Sequence, residues 1–383
     1  MANGFAPNLL MMLAAIFEGK APAKKITPPG YLNMLLKNGT PVVVSTAKSD
    51  ASGHVRDVKY WYRQPGKKGS SATSDNCDVD AKPSRLEGSI PSTLYRKRTL
   101  IFEDDQIAQY EQEASGIIKP ATNGTGKIML LTPDNFQGML KEIYDTIIEQ
   151  CRGLIADIND DLLTTQVSAF GVNAVTGNNS AVTVNFPLST ASNPLTSGFT
   201  KLISDARNNE FNLADAMIVG SGLIDNYMIQ HLANAKSTDQ SGLNSAALTL
   251  ASNYFFDIDA ASAWGSNQFG VFDKGSVQFL EVNRFVGFKA GVRPGSIFFN
   301  APLPLVDAFG DPAISKMNFD FQIRYVDCPQ SIEIDGTPTS VGRGWIVTIG
   351  KSFAQVNLPD DLYQTGDRLE GNNGTLRYTA TNS

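Results

Sequence analysis

Three groups of residues in this chain have the side chains that catalysis or ligand binding would use. The first surrounds Ser221, in the run Val219-Gly220-Ser221-Gly222-Leu223. A nucleophilic serine needs a base and a group that orients the base. The only imidazoles are His54 and His231, and the Gly-x-Ser-x-Gly spacing of a nucleophile elbow is missing. Gly220 and Gly222 fit a tight strand-to-helix turn instead. The second group is Ala121 to Leu130 (ATNGTGKIML), which has the glycines and lysine of a phosphate cradle at the wrong spacing and reads as a plain turn. The third is the set of acid pairs Asp104-Asp105, Asp160-Asp161 and Asp360-Asp361. Paired carboxylates can hold Mg²⁺ or Ca²⁺ or move protons. Adjacent side chains diverge, however, and no calcium-loop pattern is present, so these read as solvated acids of turns and helix ends. Cys77, Cys151 and Cys328 are too far apart for a metal knuckle and too few for a disulfide framework. The sequence thus predicts no catalytic residues, no metal site and no cofactor.

A different pattern stands out in Val55 to Ser71 (VRDVKYWYRQPGKKGSS). Basic and aromatic residues interleave there. Such residues stack on nucleic acid bases, but they also dominate protein interfaces. The chain has 38 acidic against 32 basic residues, a formal charge of -6. That balance favours contact with another subunit. Arg56, Lys59, Trp61, Tyr62, Arg63, Lys67 and Lys68 are candidate subunit-contact residues, as are Glu142, Asp145 and Glu149, which lie off the apolar stripe of a helix.

The elements that would position these residues follow from patterning. With 42% hydrophobic residues among 383, the chain can build a substantial core. Asn8–Phe17 and Tyr31–Leu36 read as short apolar helices of an arm, separated by Pro22, Pro28 and Pro29. They need a neighbour in the same chain or another. Phe5–Phe17 lacks the basic flank of a signal peptide and is too short to span a bilayer, so the protein is read as soluble and intracellular where it is made. Thr40–Thr46 is a strand by its β-branched content. Val55–Arg63 and Ser92–Phe102 read as the two strands of an extended loop that turns at Pro65-Gly66 and lies on something else, since a lone hairpin is marginal in water. Thr132 and Pro133 start the strongest helix. Phe136, Leu140, Ile143, Ile147, Cys151, Leu154, Ile158 and Leu162 make one stripe along roughly 45 Å.

Leu162 to Thr200 contains no charged residue and reads as strands and turns; Gln240 to Phe256 is also free of charged residues. Helices are expected at Thr200–Asn208 and Leu223–Ala235, with a strand at Asp215–Val219 between them. From Gly270 the chain is mostly β, and the last thirty residues are expected to finish in turns on the surface.

This order of parts resembles the major capsid proteins of tailed bacteriophages, the Hong Kong ninety-seven fold. The resemblance implies an α+β protein with an N-terminal arm (1–46), an extended two-stranded loop (47–98) and a peripheral domain with a long spine helix (99–169). An axial domain (170–325) and C-terminal strands (326–383) returning to both domains complete it. It implies assembly into hexamers and pentamers of an icosahedral shell around a genome, in the virion, after synthesis in a host bacterial cytoplasm. Its partners would be copies of itself, separate scaffolding, portal and decoration proteins, and packaged DNA held by weak, non-specific contact, with no membrane. An encapsulin-like nanocompartment shell, another virion structural protein and a carboxylate-metal enzyme are the alternatives. Only 18% of the chain is charged, against roughly 25% in ordinary soluble domains. Neutral polar surface costs less to desolvate than ionised groups, which suits a subunit whose surface faces sister subunits.

Overall fold

In the computed structural model, residues 26–38, 43–49, 56–63, 85–90, 92–104, 139–186, 198–234, 253–283, 289–290, 296–305, 316–327, 330–334, 337–357 and 371–382 are described. The arm helix expected at Asn8–Phe17, the loop tip with Lys67 and Lys68, and the start of the long helix at Thr132 and Pro133 lie outside them. The fold is α+β, as expected. Its helices are α1 (Gly30–Lys37), α2 (Met139–Ala169), α3 (Gly198–Asn208), α4 (Leu223–Asn234) and α5 (Ala260–Trp264). Its first strands are β1 (Val43–Ser49), β2 (Arg56–Arg63), β3 (Arg85–Ile90), β4 (Leu94–Glu103), β5 (Val182–Asn185), β6 (Met217–Gly220), β7 (Tyr254–Phe256) and β8 (Gln268–Phe272). The rest are β9 (Val277–Val282), β10 (Lys289–Ala290), β11 (Ser296–Pro304), β12 (Lys316–Val326), β13 (Gln330–Ile334), β14 (Thr337–Val341), β15 (Gly344–Asn357) and β16 (Thr375–Thr381).

Two sheets carry the body. One runs β10-β11-β12-β15-β4, with β9 also paired to β15. The apolar stripe of α2 lies in the same core as this sheet: Ile143, Ile147, Cys151, Leu154, Ile158 and Leu162 are buried with Phe319, Phe321, Val347, Ile349 and Phe353. Burial pushes the Cys151 thiol up to about 12, so it behaves as a small apolar side chain. The stripe continues past Leu162, and α2 runs to Ala169. The strands expected from Leu162 onward therefore begin later, at β5. The neutral Thr164-Thr165-Gln166 run is compatible with helix because tertiary packing overrides its weak propensity.

The second sheet runs β5-β16-β8-β6-β7. With α3 and α4 it encloses a separate core around Phe186, Phe199, Tyr227, Phe269 and Tyr378. The strand and both helices expected here are present, and Gly222 takes φ +67 in the turn from β6 to α4. The C-terminus departs from expectation. β16 lies between β5 and β8, with Leu376, Tyr378 and Ala380 buried. Its alternation of apolar with polar residues in Thr375–Thr381 is short, and the Gly-Asn-Asn-Gly run before it suggested a surface turn.

The sheets also divide the chain differently from the expected boundary at 325. β8 belongs to the second sheet, whereas β9 to β12 belong to the first. The crossing falls in the turn at Asp273–Ser276, where Gly275 takes φ +82. Patterning identifies strands but not the edge each one joins.

The second arm helix forms as expected and is keyed into its own chain. Tyr31, Leu32, Met34 and Leu35 are buried between α2 and the second sheet. Pro29 precedes α1 and supplies no side-chain cap. Distant residues satisfy the open N–H groups instead: Tyr31 N donates to Asp257 Oδ2 at 2.7 Å and Leu32 N to Asn159 Oδ1 at 3.0 Å. Asn159 Nδ2 donates to the same Asp257 oxygen at 3.0 Å. A Cβ on Gly30 would come within 2.1 Å of Phe256 O, so this approach requires glycine. At the other end Asn38 Nδ2 donates to Val277 O and Asn38 Oδ1 accepts from Gly275 N, fixing α1 to the turn where the sheets cross.

Candidate subunit interface

The extended loop is built on three strands rather than two. β2 pairs on one side with β1 and on the other with β3, both antiparallel. The strand expected to return along β2 is instead β4, which pairs with β15 over Gly344–Phe353 and belongs to the body. The β2 partner is Arg85–Ile90, whose Gly88 and small Ser89 gave little strand signal. Gly88 faces Tyr60, and a Cβ there would sit 2.2 Å from the Tyr60 ring. The glycine thus leaves the space in which the ring lies across the neighbouring strand.

Among the described residues, this small sheet is rooted in one apolar cluster. Val58 is buried with Leu280 of β9 and with Ala354 and Val356 of β15; Tyr60, Ile90 and Val282 close around it. Burial raises the pKa of the Tyr60 hydroxyl. The residues between these positions turn the other way: Lys59 is exposed and Trp61 half-buried, with Trp61 opposite Val43 and Glu87. Arg56, Tyr62 and Arg63 lie on the same strand, and their side chains are outside the described set, as are Lys67 and Lys68.

Of the acidic candidates, Glu142 is on the first turn of α2 with its side chain undescribed, Asp145 is half-buried, and Glu149 is exposed. Arg152 Nη1 lies 3.3 Å from Glu149 Oε2, one turn on. What the structure brings together was not singled out from the sequence. Arg96 donates to both oxygens of Asp161, at 2.6 and 2.5 Å. Arg98 donates from Nε and Nη2 to Asp157 Oδ2, at 3.1 and 2.7 Å. Residues two apart on a strand advance about 6.6 Å and residues four apart on a helix about 6 Å. The two ladders therefore match, antiparallel, across β4 and α2. Gly153 makes room: its Cβ would lie 2.9 Å from the Arg98 guanidinium carbon. The findable signal was Arg-x-Arg on a strand with Asp-x-x-x-Asp on a helix. Asp160 and Asp161 are accordingly not acids of a helix end; burial, then Asp259 and Asp157, raise the Asp160 pKa.

Of the remaining chemical candidates, Ser221 and Asp104 take structural places, while His54, Cys77, Asp105, Ala121 to Leu130, Cys328 and Asp360-Asp361 lie outside the described residues. Ser221 is buried in the β6–α4 turn. Asp104 Oδ2 accepts from the Tyr325 hydroxyl at 2.7 Å. Among the described residues no group of three or more His, Cys, Asp or Glu is arranged to hold a metal ion, and no helix is long and apolar enough to cross a membrane.

No family model and no curated protein matches the chain. Solved structures similar to it include the capsid asymmetric unit of Cyanophage A-1(L), with 13% identity over 94% of this chain and 95% of that one, at a TM-score of 0.45. The capsid of Cyanophage P-SCSP1u has 10% identity over 95% and 92%, at 0.40. The virus-like particle from Pyrococcus furiosus has 6% identity over 96% of each chain, at 0.34.

Proposed function

We propose that this protein is the major capsid protein of a tailed double-stranded DNA bacteriophage, assembling through hexamers and pentamers into a closed icosahedral shell. The observation that carries the reading is the three-stranded extension. Its only apolar cluster with the body, among the described residues, is the small one around Val58. A sheet of this size needs cover on a face to be stable, and a neighbouring copy of the chain supplies it. The 31-residue α2 lies beside the sheet that anchors the extension. The same reading takes the chain as an arm, an extension, a peripheral part with the spine helix and an axial part. So does the resemblance in the order of parts. In this mechanism the extension of one subunit lies across the α2 side of the next, and geometric closure of repeated contacts makes the shell. Scaffolding, portal and decoration proteins and loosely held DNA complete the particle, and the virion is its location. The chain acts by binding itself, with no enzymatic step.

Electron microscopy of the purified full chain, alone and co-expressed with the proteins encoded beside it, tests the reading. Closed shells are expected. A chain that stays monomeric under all these conditions overturns it. Shells filled with a protein cargo and free of nucleic acid in infected cells would make it a nanocompartment instead.

A further inference from the structure

Lys351 sits at a fork in the first sheet. β4 pairs with β15 as far as Phe353, while β9 pairs with Ser352 and Phe353 too. Two strands cannot bond one edge at the same residues, so β9 shares the other edge with β12. β12 leaves that edge at Gly350 and β9 takes it up at Ser352. Lys351 is the residue between, and one further step in the β9 register puts Asn283 opposite it.

The Lys351 side chain is 1% exposed. Its Nζ donates to Asn318 O at 2.6 Å and to Asn283 Oδ1 at 3.4 Å, and lies 3.3 Å from Glu281 Oε1. Glu281 is held in turn by the Asn318 backbone N–H and by Asn318 Nδ2 at 3.0 Å. With a carbonyl bond of about 1.23 Å, the Asn283 Cγ is no more than about 4.6 Å from Nζ. An amine, a carboxamide carbon and a carboxylate are therefore held together on two bonded strands, where proximity favours reaction.

We propose that Lys351 and Asn283 join through an isopeptide bond within one chain, with Glu281 as the proton carrier. Glu281 takes a proton from the ammonium, and the neutral amine adds to Cγ. The new bond is Nζ–Cγ and the bond broken is Cγ–Nδ2. Glu281 returns a proton to Nδ2, which leaves as ammonia and takes up the second Nζ proton in water as ammonium. No oxidant or co-reactant is needed. Burial lowers the Lys351 pKa, opposed by Glu281 and Asp320, which eases the first step. The bond would tie β9 to β15, the strands whose Leu280, Ala354 and Val356 seat the extension.

Intact-mass spectrometry of the purified full chain tests this independently of any shell. The expected mass is short by one ammonia, and digestion yields a branched peptide joining Lys351 to Asn283. Lys351→Arg and Asn283→Ala restore the full mass, and Glu281→Gln slows the loss. A wild-type chain with its full sequence mass overturns the proposal, whether or not the variants fold. So does ammonia loss without the branched peptide, which marks a succinimide, or a Lys351 linkage to a second copy.

Discussion

The two sheets are secured by opposite electrostatic means. On the α2–β4 side, the first sheet is tied by charges at its rim: Arg96 to Asp161 and Arg98 to Asp157, all at least partly exposed. The second sheet is joined to the end of α2 by buried, mostly neutral amides. Asn209 is fully buried at the end of α3. Its Oδ1 accepts from Ala174 N at 2.9 Å and Asn372 Nδ2 at 3.0 Å. Its Nδ2 donates to Asn173 Oδ1 and to Asp205 O. Asn373 Nδ2 donates to Ala169 O, so the knot reaches the last residue of α2. Three segments far apart in sequence meet through Asn side chains. An amide both donates and accepts, so it can close such a knot with no counter-charge. The difference teaches that the low charge of the chain serves its interior as well as its surface: in this knot neutral polar groups stand in for ion pairs, whereas the first sheet keeps a buried pair at Lys351 and Glu281.

The sharpest way to break this comparison is Asn209→Ala. It leaves the Ala174 N–H and the Asn372 amide without their buried partner. A loss of about 2–4 kcal/mol in unfolding free energy is expected, unchanged between low and high salt in denaturant titrations. A loss under about 1 kcal/mol, in the range of an exposed ion pair, would remove the distinction between the two regions. A smaller effect is expected at Asp205, whose backbone carbonyl accepts from Asn209 in the knot. Burial raises its pKa, against the pull of Lys201 and the Tyr378 hydroxyl. The folded state therefore holds the proton more tightly than the unfolded state. Stability falls as pH rises from the ordinary carboxylate value, about 4, through the raised one. Asp205→Asn should flatten that slope and gain stability at neutral pH. A slope of the opposite sign would show that its hydrogen bonds outweigh burial.

Much of this was legible in the sequence where one element suffices to read it. The stripe from Ile143 to Leu162, the Gly222 turn and the flanking helices at residues 198–208 and 223–234 follow from local spacing. What depends on a distant partner was not. The pairing of β4 with β15 instead of β2, the burial of β16, and the insertion of β9–β12 into the first sheet are choices among edges that no local pattern distinguishes. The aromatic and basic character of β2 was plain in the sequence. The apolar root at Val58 was not, because Leu280 and Val356 lie more than 200 residues away. The Asn knot was visible only as neutrality.

On the rim, the match between strand and helix spacing predicts two separable pairs of unequal size. Arg98 is 26% exposed and Asp157 39%, while Arg96 is 51% exposed. The Arg98→Ala and Asp157→Ala double-mutant cycle should give a coupling of about 1 kcal/mol at low salt, shrinking as salt is added. Arg96→Ala with Asp161→Ala should give less, about 0.3–0.5 kcal/mol, despite its shorter, two-oxygen geometry, because water competes for the more exposed guanidinium. The reverse order would mean that bidentate geometry outweighs exposure here. Equal couplings that persist in high salt would mean that the rim behaves like the knot, and that charge and neutrality are interchangeable ways of holding this fold.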